Sequence, residues 1–304
     1  DGGTGYGIIL GRIVTSGRSM SKGIVVTNCI LEGNVRHGVD SHSAIDFTIS
    51  DCFFKDNVIF GVAHINAITS PNDAYYGSIA ITGCSFQNEN VTQAMYAKLD
   101  KIDGGATLRT EGGPIFITSS DYVKLATVSN NSVDDYNFMV DRDYTSEDII
   151  SFLSVSATRT ANVSGNTFRS SSANRSPSHF CYVEADDIVF NANIMEGSII
   201  NTTARPALEI DRHNAQDSLI FTNNNITLIN SYTASDLVTS QSTPMLELGH
   251  SDTVFTGNIL DHTSQSTRGS VFTFDGITNK GLPYRGIFST NSSNIIDGEE
   301  FGSH

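Results

Sequence analysis

The sequence predicts an all-β solenoid, a single domain over residues 1–300 in which about nine or more short-stranded repeats stack in parallel. Three observations carry this expectation. One phrase, apolar-x-x-(Asn or Cys)-x-apolar, recurs along the chain, a short β-branched or aromatic run precedes it each time, and no stretch spaces apolar residues convincingly as an amphipathic helix requires. At 304 residues the chain can bury a sizeable core.

Taken in order, the phrase reads "VTNCIL" at Cys29, "ISDCFF" at Cys52, "ITGCSF" at Cys84, "VSNNSV" at Asn131, "VSGNTF" at Asn166, "FNANIM" at Asn193, "FTNNNI" at Asn224 and "FTGNIL" at Asn258, with a looser "FSTNSS" at Asn291. Successive spacings are 23, 32, 47, 35, 27, 31, 34 and 33 residues. That is a solenoid period with variable loops. Runs such as "GIVVT", "GSIAI" and "DTVF" supply strands only a few residues long, which bury an apolar side only by stacking at about 4.8 Å on their neighbours. The Asn or Cys is expected to form an internal ladder. Asparagine amides there bond the repeats above and below, and cysteine fits the slot as a small apolar group.

The ladder decides how the cysteines are read. Cys29, Cys52 and Cys84 occupy equivalent positions, no CxxC spacing occurs, and free thiols are expected in preference to disulfides or metal ligands. Asn-x-Ser/Thr sequons at Asn162 and Asn225 are read as by-products of the phrase. The net charge of −15 argues against a nucleic-acid partner or an anionic membrane surface. No apolar run is long enough to insert in a membrane and no basic-then-apolar leader is visible, so the chain reads as soluble. It begins abruptly in a strand-like run, which is expected of a fragment of a longer chain, and residues 301–304 are read as an expression remnant.

Chemistry is expected on a second short strand after each phrase, where apolar residues alternate with charged ones. Aligned there are Asp40, His64, Arg109 to Glu111, Asp141 to Asp143, Glu184, Glu209 to His213 and Glu247 to His250. The frame "GNVRHGVDSH" at Gly33–His42 returns as "DNVIFGVAHI" at Asp56–Ile65 with its reactive residues changed, as if the frame were the scaffold and the changed positions a substrate face. Carboxylates on neighbouring strands would stand about 5 Å apart and those two strands apart nearly 10 Å, close to the retaining and inverting spacings of glycoside hydrolysis.

The richest cluster is Asp141, Asp143 and Glu111 with Arg109, Arg142, His64 and Asp40, beside the longest insertion at Gln87–Gly105. Asp141 and Asp143 are the expected catalytic carboxylates and Glu111 their helper. His37 would be an acid/base and Arg36 would hold a sugar carboxylate or hydroxyl, against the plainer reading of "RHGVD" as a turn in which Gly38 takes an unusual backbone angle. Glu184, Glu209, Asp211 and Glu247 would form further sugar subsites, or solvating decoration. Glu184–Asp187 could instead hold calcium as a cofactor. Tyr75, Tyr76, Tyr96 and Tyr144 could stack on sugars in a chain without Trp.

With "GYGIIL" and "RHGVDS" beside the repeated phrase, the chain resembles the right-handed parallel β-helix, or pectate-lyase-like, superfamily, and within it the bacteriophage tailspike and capsule-depolymerase proteins. The resemblance is one of architecture and runs from Gly5 to about Asn294. It implies a polysaccharide depolymerase, two aspartates on one strand with a glutamate on an adjacent one, a homotrimer, a virion-tail or extracellular location and a bacterial surface polysaccharide as partner. Two other functions stay open: β-elimination of a uronate polymer with Arg or His as base, and non-catalytic glycan binding or a structural virion fibre.

Overall fold

The computed structural model describes residues 5–10, 21–41, 44–65, 77–91, 111–134, 136, 149–170, 180–200, 208–212, 218–231, 246–248, 252–264, 272–274, 288–296 and 299–301. Among them the chain is all-β, without a helix, in one sheet of 16 strands and one of 10. Every strand pair is parallel except that of Asn294–Ile296 with Glu299–Phe301.

The larger sheet is two stacks joined. One begins Ile8–Leu10, His37–Ser41, Phe60–Ile65, and the other begins Ser21–Thr27, Ala44–Ser50, Gly77–Thr82. They merge in the long strands Glu111–Ser129, Leu153–Ser164 and Cys181–Asn191, then separate again. The smaller sheet takes the short strand that follows each ladder residue, from Ile30–Glu32 to Asn294–Ile296. Each repeat therefore pairs with the next over 23 to 47 residues of chain, as the phrase spacing predicts.

Between the sheets runs the ladder. Asn131 Oδ1 accepts from Cys84 N at 2.9 Å, and Asn131 Nδ2 donates to Ile81 O at 2.9 Å and to Asn166 Oδ1 at 3.0 Å. The same pattern repeats through Asn166, Asn193, Asn224 and Asn258. Each interior amide thus uses both its oxygen and its nitrogen, which satisfies backbone groups that the turn would strand away from water. The ladder closes at Asn294, whose Oδ1 accepts from Asn258 N at 3.0 Å, and not at Asn291. Asn291 instead lies in the larger sheet opposite Phe255.

A left-handed residue precedes every ladder position: Asn28, Asp51, Gly83, Asn130, Gly165, Ala192, Asn223, Gly257 and Ser293, with φ between 52° and 68°. This conformation turns the chain from one sheet to the other and aims the next side chain inward. Asn, Asp and Gly tolerate it, whereas Ala192 and Ser293 bear a steric cost of roughly 1–2 kcal/mol.

Cys29, Cys52 and Cys84 are free thiols in the same file. Cys52 Sγ lies 3.6 Å from Val26 O, and Cys84 Sγ lies 3.7 Å from Ile49 O. Burial is the main cause raising both thiols above their ordinary range, Cys84 to about 12.

Inside the sheets, aromatic rings stack along the same axis: Phe54 on Phe86 at 4.7 Å and 7°, and Phe190 on Phe221 at 5.2 Å and 2°. Burying each Phe contributes about 1.5–3 kcal/mol. The first of these stacks explains the glycines of the repeated frame. A Cβ on Gly38 would meet Phe54 Cδ1 at 2.6 Å, and one on Gly61 would meet Phe86 Cδ1 at 2.6 Å. Gly38 is there for space, since its φ is not left-handed as the turn reading expected.

Candidate functional site

The outward side of the larger sheet is read from its register. One row runs Asp40, Ala63, Phe116, Ser154, Tyr182, Glu209, Glu247, Thr273. A second outward pair, Glu184 opposite Asp211, lies two residues further along its strands. Side chains alternate strictly here: Cys181, Val183 and Ala185 are buried while Tyr182 and Glu184 are half-buried on the other face. Glu209 and Asp211 flank buried Ile210 in the same way. Period-2 geometry therefore brings Tyr182, Glu184, Glu209 and Asp211 onto one patch.

Within it the Tyr182 hydroxyl donates to Glu184 Oε2 at 3.0 Å. Burial first, then the charges of Glu184, Glu209 and Asp211, push the Tyr182 phenol far above its ordinary value, so it remains a protonated donor. Glu184 and Asp211, partners on adjacent strands, have backbones about 5 Å apart. The arrangement can present two carboxylates to one bond, one of them held by a phenol.

Chemistry differs at the other end of the row. Asp40 and His37 are about 1 % exposed, with His37 Nδ1 3.0 Å from Asp40 Oδ1. Ala63, Phe60, Phe116, Val58, Ile59 and Val91 form a second apolar cluster on this outward side, in which Phe60 stacks on Phe116 at 4.7 Å. Arg36 donates from Nη1 to the Tyr6 hydroxyl at 2.7 Å, and Tyr6 meets His37 edge-on at 5.3 Å. Asp40, His37 and the apolar cluster are sealed from solvent, while Arg36 and Tyr6 are half-buried.

His64 is on the opposite face. The two copies of the frame pair with the 23-residue offset read from the sequence, so Asp40 faces Ala63 while Ser41 faces His64. The imidazole had moved by one position relative to the acid, and a one-residue shift in a strand reverses the side. His64 points inward, 2 % exposed, with Nδ1 3.0 Å from Ser41 Oγ and its ring 5.6 Å from Phe47. The alignment that placed Asp40 and His64 on one substrate face is corrected accordingly.

Asp141, Arg142, Asp143 and Arg109 lie outside the described residues, as do Tyr75, Tyr76, Tyr96 and Tyr144. Glu111 and Glu247 are placed by backbone only, opposite Ile149 and Glu209 respectively. Among the described residues no group of three His, Cys, Asp or Glu side chains is arranged to hold a metal ion, Glu184–Asp187 included. Tyr182 carries no formal charge to mark it in the sequence, although its place two residues before Glu184 puts it on the same face. No family model matches the chain, and no curated protein or solved structure matches it.

Proposed function

We propose that the chain is a right-handed parallel β-helix of tailspike type that cleaves a bacterial surface polysaccharide by hydrolysis, working as a homotrimer at a virion tail or outside the cell. The observation that carries the hydrolytic reading is the Glu184–Asp211 pair on adjacent strands, with Tyr182 donating to Glu184. Carboxylates borne on strands about 5 Å apart can reach the separation that suits the retaining mechanism. The phenol's hydrogen bond holds Glu184 in place, and Glu184 is assigned as the nucleophile. Asp211 protonates the leaving glycosidic oxygen while Glu184 attacks the anomeric carbon. Asp211 then takes a proton from water, which attacks that carbon and releases Glu184. Glu209 and Glu247 continue the row as sugar subsites. The concentration of carboxylates favours a neutral or amino sugar over a uronate.

The test incubates the protein with purified capsular polysaccharides and measures new reducing ends. Glu184→Gln and Asp211→Asn should each abolish them, and Asp141→Asn and Asp143→Asn supply the comparison with the pair favoured by the sequence. Full activity in both Glu184→Gln and Asp211→Asn removes this site. Unsaturated product would establish β-elimination instead, and glycan binding without shortening would establish a non-catalytic fibre.

A further inference from the structure

Thiols fill the ladder corner in the first three repeats, whereas the later repeats use asparagine there, from Asn131 to Asn294. A thiol is a weak donor and a weak acceptor, so it does little of the work that an amide does in that slot. In these same repeats a second file of amides holds the register at the far end of the short strand. Asn57 Oδ1 accepts from Asn34 N at 3.3 Å and from Asn34 Nδ2 at 2.8 Å, while Asn57 Nδ2 donates to Leu31 O at 2.9 Å. The corner is relieved of that task, and its side chains are available for different chemistry.

Register places Cys29 directly beside Cys52. Asn28 N donates to Ser50 O at 3.2 Å on one side of the pair and Phe53 N to Cys29 O at 2.8 Å on the other, and Ile30 faces Phe53 in the strands that follow. Neighbours locked in this way have Cα atoms about 4.8 Å apart, inside the roughly 4.4–6.8 Å that a disulfide spans. Cys52 Sγ already leans towards the earlier repeat, 3.6 Å from Val26 O. Exposure separates the thiols: Cys29, first in the file, is half-buried and within reach of a small reagent, whereas Cys52 is 2 % and Cys84 1 % exposed. Cys52 and Cys84 share the spacing, but neither is open to attack from solvent. Cys181 is buried in the larger sheet between Leu153 and Leu208, apart from the file.

We propose that Cys29 and Cys52 are a redox modification site, at which a small-molecule disulfide such as oxidised glutathione converts the two thiols into a bond between the first two repeats. The Cys29 thiolate attacks one sulfur of the oxidant and expels one glutathione thiolate, which leaves a mixed disulfide at Cys29. Cys52 then gives its proton to water and attacks the Cys29 sulfur, expelling the second glutathione thiolate. Two protein thiols are oxidised and one external disulfide is reduced to two thiols, so the electrons balance. Burial keeps Cys52 protonated above the ordinary thiol range, which makes the second step the slower one. The bond stabilises the first two repeats chiefly by restricting the unfolded chain. Oxidising conditions outside cells favour it and a reducing cytosol removes it, so the start of the stack is clamped only after the chain leaves the cytosol. The inference rests on neither glycan cleavage nor the oligomer.

The test incubates the folded whole chain with oxidised glutathione, alkylates the remaining thiols in urea and maps the tryptic peptides by mass spectrometry. Gly23–Arg36, which carries Cys29, should appear joined to His37–Lys55, which carries Cys52, lighter by two hydrogens than the two peptides together, with Cys84 and Cys181 alkylated. Cys52→Ser should stop at a glutathione adduct on Cys29, and Cys29→Ser should leave Cys52 alkylated. Amide exchange around Val26 and Phe54 should slow about tenfold or more on oxidation and recover with reduced glutathione. Recovery of Cys29 and Cys52 both alkylated from the oxidised wild type overturns the inference, as does a Cys52–Cys84 bond, a bond that forms only in urea, or oxidation that leaves exchange unchanged. The wild-type map decides even where a variant melts early.

Discussion

The first repeats and the later ones use the same frame for different physics. In the first, the outward row is sealed: Asp40 is buried against His37, and Ala63 and Phe116 belong to an apolar cluster. In the later ones the same row is half-open and acidic at Tyr182 and Glu209, with Glu184 and Asp211 beside it. The ladder changes as well, from thiols 3.6 to 3.7 Å from the carbonyls of the preceding repeat to amides that reach theirs at 2.8 to 3.1 Å. Place in the register thus sets which residues are neighbours. Burial decides whether those neighbours are closed off or open to solvent.

The largest expected contrast is between the two acidic sites. Glu184→Gln or Asp211→Asn should lower turnover by about 10²–10⁴-fold without moving the melting temperature. Asp40→Asn should do the reverse, because disturbing a buried hydrogen-bonded carboxyl costs about 1–3 kcal/mol while the distant patch is untouched. Chemical denaturation and reducing-end assays on the three variants measure both effects. A collapse of turnover in folded Asp40→Asn would show that the sealed end participates in the chemistry.

Next is the ladder. Asn193→Ala leaves Asn166 N without its acceptor and Val163 O without its donor, both buried, for a loss of about 3–5 kcal/mol. Cys52→Ala removes only a weak thiol contact and a small volume, for about 1–2 kcal/mol. Equal losses in urea melts would mean that the two halves are held in the same way.

Alkaline pH should separate the halves again. The Cys84 thiol has its folded value raised by burial from 9.0 to about 12. Its neutral form therefore contributes stability in full below pH 9, and that stability is lost as pH rises towards 12, because the unfolded chain ionises first. Amide exchange near Cys52 and Cys84 should accelerate over that window more than exchange near Asn193 or Asn224. Uniform acceleration would contradict the thiol account.

The smallest effect concerns the corner. Ala192→Gly relieves a left-handed alanine and should stabilise by about 0.5–1 kcal/mol. Gly165→Ala, where a Cβ would meet Asn130 Oδ1 at 2.5 Å, should destabilise. A thermal shift series resolves the opposite signs.

Much of this was legible in the residues themselves. The recurring Asn or Cys marked the file because only a small or amide side chain serves that slot, and the 23-residue offset of the two frames is the real register. What escaped were questions of side and of corner. Asp40 and His64 differ by one position, which carries no compositional signal yet reverses the face. The phrase "FSTNSS" points to Asn291 as the last ladder residue, because Ser293 is a poor left-handed residue and gives no signal of the turn before Asn294. Tyr182 carries no formal charge, so only strand alternation could reveal it.

The most direct measurement of the central claim, that carboxylates on neighbouring strands hydrolyse a glycan, is digestion in ¹⁸O-labelled water followed by mass spectrometry of the fragments. Each new reducing end should gain one labelled oxygen, and the labelled product should vanish in Glu184→Gln and Asp211→Asn. Fragments without label, or labelled fragments undiminished in both variants, would contradict it.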